Sequence, residues 1–194
     1  VSIWSAVFFR YAKGLLGNYP EATGVLVGEG EESFYELCKH YDGKIENLSE
    51  VKGIVYRKAG KIVEKPFAFV QDLSSLKFAY EDFKDFEHKI IYYESSRGCP
   101  FSCSYCLSSI DKSVRFRSLD KVYEELDFFI AHKVPQVKFV DRTFNCNRKH
   151  ARAIWNYLLE KDNGITNFHF EVSADLIEEE DLAIMEKMRP GLIQ

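Results

Sequence analysis

No stretch of this chain approaches the roughly 18–20 consecutive apolar residues that a bilayer-spanning helix needs, so no membrane anchor is expected. No basic stripe offers itself to nucleic acid and no acidic tail points to disorder, since the net charge is a mild −4 at pH 7. The opening Val1-Ser2-Ile3-Trp4-Ser5 has neither an initiator Met nor the basic start of a signal peptide. The last residues, Arg189-Pro190-Gly191-Leu192-Ile193-Gln194, stop as a new apolar segment begins, so the expectation is a piece of a longer protein. A disulfide framework is also missing. There are 5 cysteines in 194 residues, three clustered and two scattered, which fits a reducing cytoplasm. What the chain does have is core-forming material: 46% of it is hydrophobic and 15% aromatic, enough for one large domain or a domain with an appendage.

The clustered cysteines dominate the reading. Cys99-Pro-Phe-Ser-Cys103-Ser-Tyr-Cys106 places three thiols at spacings of four and three in sequence. Thiols this close ask for a metal. Structural zinc sites take four ligands, usually as paired C-x-x-C units. Bacterial ferredoxins use C-x-x-C-x-x-C-x-x-x-C-P, so that every iron of the cluster is held by protein. Here no fourth cysteine is nearby, and three thiolates on a four-iron cluster leave one iron open to a small molecule. Zinc and a chance grouping of cysteines are the competing explanations.

The spacing C-x-x-x-C-x-aromatic-C, with Tyr105 in the aromatic slot, is similar to the signature of the radical S-adenosylmethionine (radical SAM) superfamily. Ser95-Ser96-Arg97-Gly98-Cys99-Pro100 resembles the Ser-Arg-Gly-Cys-Pro lead-in of members that carry an upstream cobalamin-binding domain. The resemblance implies a [4Fe-4S] cluster on Cys99, Cys103 and Cys106, with SAM bound through its amine and carboxylate to the open iron. It further implies reductive cleavage of SAM to a 5′-deoxyadenosyl radical that takes a hydrogen atom from substrate. A one-electron donor of flavodoxin or ferredoxin type and a small-molecule substrate are the partners implied. Val27-Gly28-Glu29-Gly30-Glu31-Glu32-Ser33-Phe34 loosely resembles the last strand–loop–helix of the cobalamin-binding domain. The usual cobalamin-ligating Asp-x-His-x-x-Gly is absent, so cobalamin is expected in a full-length parent only.

Taken in order, a helix is expected from about Ala6 to Leu16, a strand at Gly24–Val27 and a helix from Glu31 to about His40 with acids in its first turn. Val51 to Glu64 reads as a β-hairpin turning at Lys58-Ala59-Gly60. Residues 67–88 read as a connector that packs Phe78, Tyr80, Phe83 and Phe86 onto the next domain. From Lys89 the pattern becomes strand, helix, strand, helix, strand, helix, with strands at Ile90–Tyr93, Val137–Asp141 and Phe168–Ser173. Val122, Leu126, Phe129 and Ile130 give the first helix one apolar face, and Ala151, Ile154, Trp155 and Leu158 do so for the second. Helix crossovers of this length mean a parallel sheet. The expected fold class is therefore α/β. The resemblance implies that residues 1–50 are the tail of a Rossmann-like, cobalamin-binding-type domain, and 51–88 read as a hairpin and linker. The resemblance also implies that residues 89–194 are the first half of a partial (β/α)6 radical SAM barrel, with a fourth strand starting near Leu192.

In such barrels the chemistry sits at the C-terminal ends of the strands. That rule puts the cysteine loop, Asp141 and Ser173 at one mouth. Asp141 stands where the family often has Gly-Gly-Glu; it lacks the glycines but offers a carboxylate for the SAM amine, unless it serves a salt bridge with Arg142. Glu171 shares its strand face with His169 and Ser173, opposite Phe168, Phe170 and Val172, and Glu171 and Ser173 are candidates for SAM. His169 is a weaker candidate on the substrate side. Tyr105 would pack beside the adenine. Arg115 and Arg117 could meet an anionic substrate but are assigned to solvent, and Cys38 and Cys146 to no role. An iron–sulfur electron-transfer module and a zinc-stapled interaction domain remain the alternatives to SAM chemistry.

Overall fold

The computed structural model describes residues 2–6, 9–81, 89–110 and 112–194. The chain divides into two compact units, Val1–Gln71 and Asp72–Gln194.

In the first unit, β1 (Ser2–Ala6) and β2 (Ala22–Val27) run parallel, with α1 (Phe9–Asn18) between them. Ala12 and Leu16, one helical turn apart, are buried against Ala22, Val25 and Val27. The expected helix thus begins three residues late, and a strand too short to show its period precedes it. α2 (Gly30–Tyr41) carries Glu31 and Glu32 in its first turn and Lys39 and His40 in its last, charges that complement both ends of the helix dipole. β3 (Ile54–Lys58) and β4 (Lys61–Glu64) form the hairpin, with positive φ at both Ala59 and Gly60. That pair of angles gives the turn a twist matching its strands. β3 also pairs antiparallel with β2, giving the order β1-β2-β3-β4. The hairpin expected as a bridge is therefore the edge of the first sheet. Val51, Ile54 and Tyr56 are buried with Leu26 and Leu37, and an isolated two-stranded ribbon has no such core.

The second unit is built on β5 (Ile91–Tyr93), β8 (Gln136–Phe139) and β9 (Asn167–His169), all parallel and in that order. A two-stranded antiparallel pair, β6 (Ser96–Arg97) with β7 (Arg115–Phe116), lies between β5 and α3 (Leu119–Ala131). α4 (Arg148–Lys161) connects β8 to β9, and α5 (Glu179–Met185) follows. One sheet face presents Ile91, Tyr93, Val137, Phe139 and Phe168 to Val122, Leu126 and Phe129 of α3 and to Ala151, Ile154, Trp155 and Leu158 of α4. Each large side chain buried here contributes roughly 1.5–3 kcal/mol of transfer free energy. The intervening residues Tyr92, Lys138 and His169 are cross-strand neighbours on the opposite face.

β9 is shorter than expected, yet pairing continues beyond it. The Phe168 N–H donates to Leu192 O (2.8 Å), and the Phe170 N–H to Gln194 O (2.9 Å), with a parallel bridge from Phe168 to Ile193. Phe78 and Tyr80 stack edge-on against Phe129, which holds the connector to this core. Phe83 and Phe86 lie outside the described residues. No helix among the described residues is long and apolar enough to cross a membrane.

Candidate functional site

The cysteine loop leaves the C-terminal end of β5 and is closed at its neck. Ser96 pairs with Phe116 and Arg97 with Arg115, and the Arg117 N–H donates to Ser95 O at 2.8 Å. Gly98 sits just inside this neck with φ of 106°. A Cβ there would stand 2.2 Å from Ser113 O, so the returning limb passes where any side chain would be. Only glycine takes this backbone without strain.

Asp141, just past the end of β8, is fully buried. Its carboxylate accepts the Ser95 N–H at 3.1 and 3.2 Å, the Ser95 hydroxyl at 3.1 Å and the Ser96 N–H. Burial pushes its pKa up to about 6, although these hydrogen bonds pull the other way. In this fold the expected SAM-amine ligand instead meets Ser95 and Ser96: Oδ1 takes most of their donations, Oδ2 accepts the Ser95 N–H, and the group is closed off from the surface.

None of the three cysteines is in a disulfide; Cys99 is buried, Cys106 half-buried and Cys103 exposed. The Cys106 N–H donates to Cys103 O at 3.1 Å, a tight turn between the last two. Cys99 Sγ lies 3.5 Å from the hydroxyl of Thr143, which is itself buried. Tyr105 projects from the loop and is 89% exposed. Among the described residues, no three His, Cys, Asp or Glu side chains converge in a group that could hold a metal ion. A four-iron cluster takes its thiolates on separate irons, so its ligands stand wider apart than those of a single ion. The donor chemistry, three thiols on one closed loop, matches such a cluster.

The turn after β8 also reaches β9's loop. Asn145 is buried; its side-chain amide donates to Ser173 O (2.9 Å) and accepts the Ser173 N–H (2.8 Å). The Ser173 hydroxyl donates to Asp175 at 2.5 Å. Glu171 lies past the end of β9, half-exposed, with Lys138 Nζ at 3.5 Å. The cysteine loop and Asp141 are therefore in direct contact. Ser173 and Glu171 are held by Asn145 and Lys138 instead. Cys146 is half-buried, and burial pushes its thiol pKa up.

Arg117 is not a solvent residue. It is buried, donating to Leu73 O (2.6 Å), Leu76 O (2.8 Å) and Glu125 (2.6 Å), and Glu125 also accepts the Tyr93 hydroxyl at 2.7 Å. Sequence reasoning missed Glu125, Thr143 and Asn145. For the last two a signal existed: Asp141, Arg142, Thr143 and Asn145 are a run of polar residues, broken only by Phe144, just past a buried strand, where function concentrates in parallel sheets.

Residues 93–194 match the Radical SAM superfamily. An uncharacterized methyltransferase from Pyrococcus horikoshii is 30% identical over 142 residues, which cover 68% of this chain and 31% of that protein. An anaerobic magnesium-protoporphyrin IX monomethyl ester cyclase from Synechocystis is 28% identical over 114 residues, 55% of this chain and 23% of the cyclase. The chain thus spans about a quarter to a third of these relatives' length. Among solved structures, the radical S-adenosylmethionine methyltransferase TsrM from Kitasatospora setae, with cobalamin and a [4Fe-4S] cluster bound, superposes with a TM-score of 0.72 at 16% identity. The match covers 95% of this chain and 39% of TsrM. OxsB, a cobalamin-dependent S-adenosylmethionine radical enzyme, gives 0.71 at 19% identity, covering 95% of this chain and 28% of OxsB. At these identities the two structures attest the α/β fold. The sequence match runs from Tyr93, on the strand that feeds the cysteine loop, to Gln194, and on it the chain belongs to the Radical SAM superfamily.

Proposed function

We propose that this chain is part of an enzyme that cleaves SAM reductively to a 5′-deoxyadenosyl radical for C–H functionalisation of a small molecule. Cys99, Cys103 and Cys106 are the ligands of a [4Fe-4S] cluster in this reading. The observation that carries it is the loop itself: three cysteines outside any disulfide at family spacing, with its neck closed by β6 and β7 at the end of the first strand of a parallel sheet. When bound, such a cluster supplies the electron that breaks a carbon–sulfur bond of SAM at its cysteine-free iron. The chain's own residues bind and orient. Tyr105, beside the last ligand and largely exposed, offers a ring to the adenine. Glu171 offers a half-exposed carboxylate and Ser173 a hydroxyl to the polar groups of SAM. Asp141 is set apart from this group because its buried carboxylate already meets Ser95 and Ser96.

The second unit is proposed to be the first half of a partial (β/α)6 barrel, with the Leu192–Gln194 pairing as the onset of its fourth strand. The parallel β1–α1–β2–α2 arrangement supports a Rossmann-like, cobalamin-binding-type domain for the first unit. Methyl transfer or ring formation are the product classes, following the methyltransferase and cyclase relatives. A flavodoxin or ferredoxin would be the electron donor, in a reducing cytoplasm. Anaerobic iron and sulfide analysis with electron paramagnetic resonance tests the proposal. A reduced four-iron signal that changes on adding SAM supports it. Stoichiometric zinc, or a cluster whose signal ignores SAM in the whole protein, refutes it.

A further inference from the structure

The carboxylate of Asp141 is an unusual group to find sealed inside a fold. It is fully buried, and among the described residues no lysine, arginine or histidine forms an ion pair with it. Its donors all belong to two consecutive residues, Ser95 and Ser96. The reason lies in the topology. At Tyr93 the first parallel strand ends, and the chain must turn out of the sheet to begin the cysteine loop. Backbone N–H groups that leave a ladder inside a protein need new acceptors. β8 ends at Phe139, and its last main-chain hydrogen bond to the first strand is from the Val140 N–H to Tyr93 O (2.8 Å), so the amides of Ser95 and Ser96 lie beyond the ladder. A carboxylate extending from the end of β8 fills that gap and gathers the donors at one point.

We infer that Asp141 is a positioning residue, whose carboxylate fixes the root of the cysteine loop against the end of β8 before any cluster is bound. The inference deepens the proposed function and rests on it, because the loop's position matters through the cluster its cysteines would hold. Asp141 acts at a distance of sequence from those thiols. The contact at Ser95 and Ser96 sets where β6 starts, β6 pairs with β7, and this neck defines where Cys99 emerges. The same turn continues to Thr143, whose hydroxyl meets Cys99 Sγ, so the β8 turn grips the loop at its root and at its first thiol. A glutamate at this position would overreach a carboxylate site closed on all sides. An asparagine would keep the size and could set its oxygen where Oδ1 is, but it removes the negative charge the donors face and turns the Oδ2 position into an N–H₂ beside the Ser95 N–H.

The test compares wild type with Asp141→Asn in two measurements. In the reduced, metal-free protein, hydrogen exchange is read at Ser95 and Ser96 against Val137 and Phe139 as internal controls. The expected result is wild-type protection at both serine amides and a loss on the order of 10–100-fold in the variant, the worth of hydrogen bonds to a charged acceptor, with the β8 controls unchanged. After anaerobic reconstitution with iron and sulfide, the variant's reduced-cluster resonance should broaden, and its response to SAM should weaken. Identical protection and identical spectra in the two proteins overturn the inference. So does a wild type whose Ser95 and Ser96 amides exchange as fast as an open loop, a result available even if the variant fails to fold. If wild type takes up no cluster, the proposed function falls, and the exchange measurement still decides the clamp.

Discussion

Replacing Gly98 by alanine should open the neck of the cysteine loop while leaving the sheet and helices standing. At φ of 106° a non-glycine residue is held in a region that costs roughly 1–3 kcal/mol. The added methyl would also sit 2.2 Å from Ser113 O and 3.0 Å from Ser113 C. These are backbone atoms, so no rotamer change relieves the overlap, and β6 must part from β7. Each ladder hydrogen bond lost removes about 1 kcal/mol more. A total near 3 kcal/mol lowers the closed population of the neck about 100-fold. The aromatic core around Phe129, Phe139 and Trp155 has no part in this contact, so the helical circular dichroism signal and the melting midpoint should hold. Iron and sulfide per chain after anaerobic reconstitution should fall to near background. Gly164→Ala is the control, because Gly164 has φ of 72° but open space around it, and so carries the backbone penalty without a collision. A Gly98→Ala protein that keeps wild-type iron content would refute the reasoning, and so would one no worse than the Gly164 control.

Three further outcomes follow from the same geometry. Arg117→Met leaves Glu125 buried and unpaired and should cost about 3–5 kcal/mol in urea unfolding, while the Arg117→Met, Glu125→Met double variant recovers much of it. Thr143→Val removes the hydroxyl 3.5 Å from Cys99 Sγ; hydrogen bonds to cluster sulfurs raise reduction potentials, so a redox titration of the reconstituted variant should give a lower potential. His150 is buried beside Phe116, and burial depresses its pKa to about 4 from 6.5. Because the unfolded chain then binds the proton more readily, this contribution is complete above pH 6.5 and is lost as pH falls toward 4. The loss is at most about 3 kcal/mol. His150→Phe should flatten that part of the stability–pH profile.

The parts of this molecule legible in its sequence are those set by local pattern. The faces of α3 and α4 followed from their apolar spacing, and Val122, Leu126, Ala151, Ile154 and Leu158 are all fully buried as that spacing requires. The cysteine spacing was readable because a metal cluster needs its ligands close in sequence. What escaped depends on pairing between distant segments. Nothing local in Ile54-Val55-Tyr56 says that it adds to β2 rather than standing as a linker. Arg117 looks like any loop cation until Leu73, Leu76 and Glu125 close around it. Asp141 was placed at the right end of the right strand. Its partners, Ser95 and Ser96, lie more than forty residues away in sequence, and only the fold shows that they consume the carboxylate.

Asn145 has one more consequence. Its amide meets Ser173 as a length of main chain would, giving and taking one hydrogen bond with the same residue. A side chain imitating a peptide must keep both halves of the imitation. Deamidation would turn it into an aspartate, with no hydrogen left to offer the Ser173 carbonyl and a negative charge facing it. This position therefore does not tolerate the commonest form of asparagine ageing, and a chain damaged there should shed its grip on the third strand's tip while its thiols are still chemically sound.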